Sequence, residues 1–173
     1  MTTTKVLIPE QQIRERITTL AAEIERDYPG GQDVHLVGVL KGGFMFMADL
    51  VRAMTTRVSM DFMAVSSYGK GTKSSGQVMV LKDVDSSLEG RNVIIIEDIV
   101  DTGLTLHYLQ DILKARAPLS VRTACLLSKP SRRRVDVVVD YIGFTIEDHF
   151  VVGYGLDYDE QYRNLPYIAV LEQ

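Results

Sequence analysis

Two adjacent carboxylates, Glu97 and Asp98, close the apolar run Val93-Ile94-Ile95-Ile96. Ile99-Val100-Asp101-Thr102-Gly103-Leu104-Thr105 follows at once. Acids at the tip of a buried strand are costly unless a cation or sugar hydroxyls neutralise them. Side chains alternate across a strand, so the two acids need not share one role. Thr102, Gly103 and Thr105 offer backbone N–H groups and hydroxyls, and a helix beginning there adds partial positive charge. Such a loop holds a phosphate monoester without a lysine. Taken alone, the loop reads equally well as a helix cap, with Asp101 or Thr102 capping and Gly103 turning. The acidic pair beside it favours a phosphorylated sugar.

Further segments carry chemistry of their own. Leu40-Lys41-Gly42-Gly43 ends a short apolar run, and its glycines permit close backbone approach to an anion. Ser67-Tyr68-Gly69 opens a stretch rich in Gly, Ser and Lys, to Gly76, which reads as a loop. Lys129 precedes Pro130, usually the context of a solvated surface charge. His149-Phe150-Val151-Val152-Gly153-Tyr154-Gly155-Leu156-Asp157 and then Arg163 lie near the end of the chain. Phe150 by itself reads as core. Arg132-Arg133-Arg134 reads as a solvated basic turn, and His149 as surface.

The segment from Val93 to Thr105 closely resembles the signature of the type I phosphoribosyltransferases, and the other segments resemble the hypoxanthine/guanine branch, in matching order along nearly the whole chain. The resemblance implies transfer of a phosphoribosyl group from 5-phosphoribosyl 1-pyrophosphate (PRPP) to a 6-oxopurine, a purine-salvage reaction that uses Mg2+. It implies that Glu97 and Asp98 face the ribose hydroxyls, directly or through magnesium. Asp101, Thr102, Gly103, Leu104 and Thr105 would hold the 5′-phosphate, with Asp101 also the general base at purine N7. Lys41, Gly42 and Arg163 would bind pyrophosphate, and the bond before Lys41 can be cis in the family. Ser67 and Tyr68 would open a lid that keeps water from the sugar carbon. Lys129 would donate to the purine 6-oxo group, Phe150 would stack on the ring, and the Val151 backbone would contact the base. Asp157 would be a carboxylate on a second magnesium beside the purine site. An ammonium only donates, so it favours a 6-oxo over a 6-amino group. Some relatives are regulators that bind RNA and sense nucleotides, which is the competing reading. The family also suggests a homodimer or homotetramer.

Elements must position these groups. Ile13, Ile17, Leu20, Ala21 and Ile24 recur at helical spacing before Pro29-Gly30-Gly31. Strands are expected at Val34 to Leu40, Val58 to Val65, Val78 to Leu81, Arg91 to Asp98 and Val121 to Leu127. Helices are expected at Phe44 to Met54 and Leu106 to Arg116. Val135 to Ile142 and Phe150 to Tyr154 look strand-like. The alternation predicts an α/β fold, a mainly parallel twisted sheet flanked by helices. The resemblance adds a small irregular hood from the terminal segments. One domain over 1–173 is expected.

Composition limits the alternatives. The chain has 173 residues, 46% hydrophobic and 24% charged, which suffices for a buried core. Its net charge of -4 offers no general field for a nucleic-acid backbone, so no nucleic acid is expected as partner. One cysteine, Cys125, excludes an internal disulfide and suits a reducing, cytoplasmic setting. No apolar run approaches the ~20 residues that span a bilayer, and no membrane partner is expected. Neither G-x-x-x-x-G-K-[ST] nor G-x-G-x-x-G in a strand-to-helix context occurs, which argues against a kinase or dehydrogenase.

Overall fold

The computed structural model describes residues 3–67 and 78–172. Strand β1 (Thr3–Ile8) leads into helix α1 (Glu10–Asp27), and β2 (Val34–Leu40) into α2 (Phe44–Ala53). Then come β3 (Val58–Ser67), β4 (Val78–Lys82), β5 (Asn92–Val100), α3 (Leu104–Lys114) and β6 (Ser120–Ser128). A short 3₁₀ turn at Pro130–Arg132 precedes β7 (Tyr141–Thr145), β8 (Val151–Val152) and β9 (Ile168–Glu172).

The main sheet has the order β4-β3-β2-β5-β6-β7. Every neighbouring pair is parallel except β3 with β4. Strand β5 shows why its sequence is β-branched throughout. Ile94 and Ile96 pack into one core with α1 and α2, whereas Val93 and Ile95 pack into another with α3. Both faces are covered, and each isoleucine so buried contributes about 1.5–3 kcal/mol. From β2 the chain moves outward to β3, and from β5 it moves the other way to β6. The switch point therefore lies between β2 and β5, and the crevice at the carboxyl ends of such strands is where open α/β sheets bind ligands.

Several boundaries differ from expectation. The acids Glu97 and Asp98 do not end their strand, because β5 keeps its pairing with β6 as far as Val100. The residues before α1, Thr3–Ile8, form a strand that the sequence reading does not assign, since β1 pairs antiparallel with β9. Strand β8 pairs with β9 too, so the expected irregular hood is an ordered three-stranded sheet. Val135 to Asp140 is not strand. Pairing with β6 begins at Tyr141, beside Ala124. Val135, Val137 and Val139 are half-buried without ladder partners, and the last two pack against the α3 core.

No helix among the described residues is long and apolar enough to cross a membrane.

Candidate active site

Strand alternation separates the two acids as the residue order requires. Glu97 follows Ile95 toward α3, and lines a hollow of about 90 Å³ with Val100, Asp101, Thr102, Gly103 and Thr105. Gly103, at φ 82°, makes the left-handed turn that starts α3. Leu104 is the first residue of that helix, and its N–H donates to Thr102 Oγ1 at 3.4 Å. The hollow thus sits on a helix N-terminus, where an anion is favoured. A cavity of about 420 Å³ lies elsewhere, between α1 and α2. It touches none of these residues.

Asp98 follows Ile96 to the opposite face, toward the loop after β2. A Cβ on Gly42 would lie 1.8 Å from Asp98 Oδ2, so this approach exists only because residue 42 has no side chain. The Leu40–Lys41 peptide bond is cis. Burial pushes both acids up. Glu97 is raised well above the carboxylate range, first by desolvation and then by the charge of Asp98. Asp98 is raised to about 6, chiefly by desolvation, with Asp157 adding repulsion and Arg163 opposing it. Carboxylates held at this cost suit a cation or hydroxyl donors.

The loop after β8 closes this side. Arg163 Nη2 lies 3.2 Å from Asp157 Oδ1 and 3.1 Å from Glu160 Oε1. Lys41 Nζ reaches Glu160 Oε2 at 2.8 Å. Lys41, Gly42, Asp98, Asp157 and Arg163 are thereby gathered at one edge of the sheet.

The third wall comes from the end of β6. Lys129 is buried rather than solvated, and its N–H donates to Val100 O at 2.9 Å. Its ammonium stands 3.6 Å from Asp148 Oδ1. Arg132 Nε donates to Asp101 Oδ1 at 2.8 Å and Nη1 to Asp148 Oδ2 at 3.3 Å. Phe150 is not core. It is 49% exposed, held edge-on by Tyr158 with ring centroids 5.7 Å apart. Val151 is buried in β8 and paired with Val170. His149 is exposed, beside Glu147.

The basic turn is not simply solvated, contrary to the sequence reading. Arg133 Nη1 donates to Val100 O and Asp101 O, both at 2.7 Å, and Nη2 to Ser128 Oγ at 2.8 Å. Arg134 N donates to Thr102 O at 2.9 Å. Arg132, Arg133, Asp148 and Glu160 were all missed. The one available signal is the run of three arginines after Lys129-Pro130-Ser131.

Ser67 ends β3. Tyr68 and the rest of the expected lid, 68–77, lie outside the described residues.

The sequence profile of the phosphoribosyl transferase domain matches residues 7–159. The chain belongs to this family. A phosphoribosyltransferase of its kind is found in Bacillus subtilis, a hypoxanthine-guanine phosphoribosyltransferase 52% identical over 97% of this chain and 93% of the relative. A crystal structure of a hypoxanthine-guanine phosphoribosyltransferase from Bacillus anthracis, with a HEPES molecule in its active site, superposes with a TM-score of 0.93 at 47% identity, covering 97% of this chain and 98% of that one. The bifunctional protein TilS/HprT of Listeria monocytogenes is 52% identical over 97% of this chain, which spans only 26% of that longer relative.

The donor set fits magnesium in kind. Glu97, Asp98 and Asp157 are hard oxygen donors, but no three of the described metal-ligating side chains converge on one point. Magnesium keeps much of its water and takes one or two carboxylates plus substrate oxygens, which this divided arrangement allows.

Proposed function

We propose that this phosphoribosyltransferase joins hypoxanthine or guanine to the phosphoribosyl group of PRPP, giving IMP or GMP and pyrophosphate. One observation carries the choice of base. Asp101 and Lys129 are tied into a single charge chain through Arg132 and Asp148, with the open face of Phe150 close in sequence. That arrangement supports a flat heterocycle whose 6-oxo group accepts from Lys129, whose ring stacks on Phe150, and whose N7 proton passes to Asp101. The Val151 backbone contacts the base.

Thr102 through Thr105 hold the 5′-phosphate in the hollow at the start of α3. Glu97 and Asp98 approach the ribose hydroxyls from opposite faces of β5. Lys41, Gly42 and Arg163 take the leaving pyrophosphate. Glu97 and Asp98 would hold one magnesium, directly or through the ribose hydroxyls, and Asp157 would hold a second; the metal would supply neutralisation of charge on the departing group. The protein's own task is to align the purine nitrogen with the sugar carbon and remove the N7 proton. Ser67 and Tyr68 open the segment that excludes water.

We also propose a homodimer or homotetramer. Helix α2 packs on β2 and β5, and Phe44, Met60, Met79 and Leu81 remain exposed, an apolar surface that a second copy would cover. The buried, free Cys125 accords with a cytoplasmic setting.

The deciding experiment is a panel of hypoxanthine, guanine, xanthine and adenine with PRPP and magnesium, following nucleotide formation. We expect turnover of 6-oxopurines and none of adenine. Equal use of adenine, or no turnover of any base, would overturn the proposal.

A further inference from the structure

The two cations assigned to pyrophosphate are already occupied by one side chain. Glu160 accepts from Lys41 Nζ at 2.8 Å on Oε2, and from Arg163 Nη2 at 3.1 Å on Oε1. The two oxygens therefore divide between two cations that lie on different loops.

Arg163 has little else to offer. Its Nη1 is committed to Gly155 O at 2.7 Å, and its Nη2 also faces Asp157. Its Nε is buried without a partner among the described residues. An arriving pyrophosphate can use the Nη2 fork only if Glu160 yields it.

The backbone holds Glu160 where it stands. Asp159 and Glu160 both have positive φ, 51° and 59°, and Glu160 N donates to Asp157 Oδ2 at 2.9 Å. Yet the Lys41 and Glu160 side chains are 66% and 64% exposed. Ion pairs this open are weakly held, so a multiply charged anion can displace the carboxylate.

We propose that Glu160 is an internal stand-in for pyrophosphate, holding Lys41 and Arg163 until the donor displaces it and returning as the product leaves. The inference rests on the reading of Lys41 and Arg163 as the pyrophosphate subsite. The carboxylate weakens binding of every pyrophosphate-bearing ligand by the fraction of time it occupies the cations. It also speeds product release. Glu160 thus sets the balance between capture of PRPP and turnover.

The test is calorimetric titration of the full chain with magnesium pyrophosphate, repeated on Glu160→Gln, Glu160→Ala and Lys41→Met. Both Glu160 variants should bind roughly two- to fivefold tighter, in line with loss of a weak competing ion pair. Pyrophosphate should become a correspondingly stronger product inhibitor. Tighter binding is not an effect that misfolding produces. Unchanged or weaker binding in both Glu160 variants overturns the stand-in, and would also be the result if Glu160 were a magnesium ligand. Lys41→Met should bind more weakly. If it binds like the wild type, the subsite reading itself fails, and the stand-in with it.

Discussion

Gly42 and Asp98 share one space: a methyl group at residue 42 would lie 1.8 Å from Oδ2 and 2.6 Å from Cγ of the acid. Asp98 is anchored on its other oxygen, which accepts from Ile99 N at 2.7 Å. Gly42→Ala must therefore turn the carboxylate away or push the loop off the sheet. Because small misplacements are expensive in catalysis, kcat/KM for PRPP should fall by roughly ten- to a hundredfold. The melting temperature should change little, since the collision is at the edge of the site. Steady-state kinetics beside thermal melts check this, and an unimpaired variant would show that the contact has no role.

Asp98 also makes stability depend on pH in an unusual sense for a carboxylate. Its folded-state pKa is raised to about 6, mainly by burial, above the ordinary carboxylate value of 3.8. Between those values the native state binds more protons than the unfolded chain, so this group's contribution falls as pH rises from about 4 to about 6. Asp98→Asn should remove that part of the slope and be more stable than the wild type near pH 7, while losing activity. Denaturant unfolding of both proteins across pH 4.5 to 7.5 is the measurement. Parallel curves would contradict the shift.

Asp101 lines the hollow with Arg132 on one oxygen, and the proposed proton transfer from the purine would use the other. Asp101→Asn keeps the shape and most hydrogen bonds but cannot take a proton. Turnover should drop by roughly 10²–10⁴-fold, the usual contribution of general acid–base catalysis. The fold should remain intact by circular dichroism. A variant with full turnover would move the proton-accepting role elsewhere.

The parts of this site that were legible in the sequence are those written locally. Val93 to Ile96 is β-branched because both faces of β5 are covered, and the acids and the Gly103 turn follow it directly. Strand β1 was not legible, because its partner β9 lies at the other end of the chain. Val135 to Asp140 misled by composition, its valines packing without pairing in the sheet. The exposure of Phe150 and burial of Lys129 reversed the ordinary expectation for both residue types. What made them different was tertiary position at the rim of a site, which residue type does not encode.

Arg133 is the clearest such case, and it gives a prediction of its own. Its guanidinium joins the ends of two strands, taking the carbonyls of Val100 and Asp101 from β5 and its following loop, and the Ser128 hydroxyl from β6. Those carbonyls lie just before Thr102 to Thr105, the residues proposed to hold the 5′-phosphate, so the fork fixes where that loop begins. Lysine keeps the charge but has no planar fork, and cannot hold both strand ends in the same geometry. Arg133→Lys should raise KM for PRPP by roughly tenfold, because hydrogen bonds to a charged group contribute about 1.5–3 kcal/mol. KM for the purine should move less. Arg134 engages Thr102 O through its backbone N–H alone, so Arg134→Lys serves as the matched control and should behave as the wild type. Equal kinetics in the two lysine variants would show that Arg133 is only another surface charge.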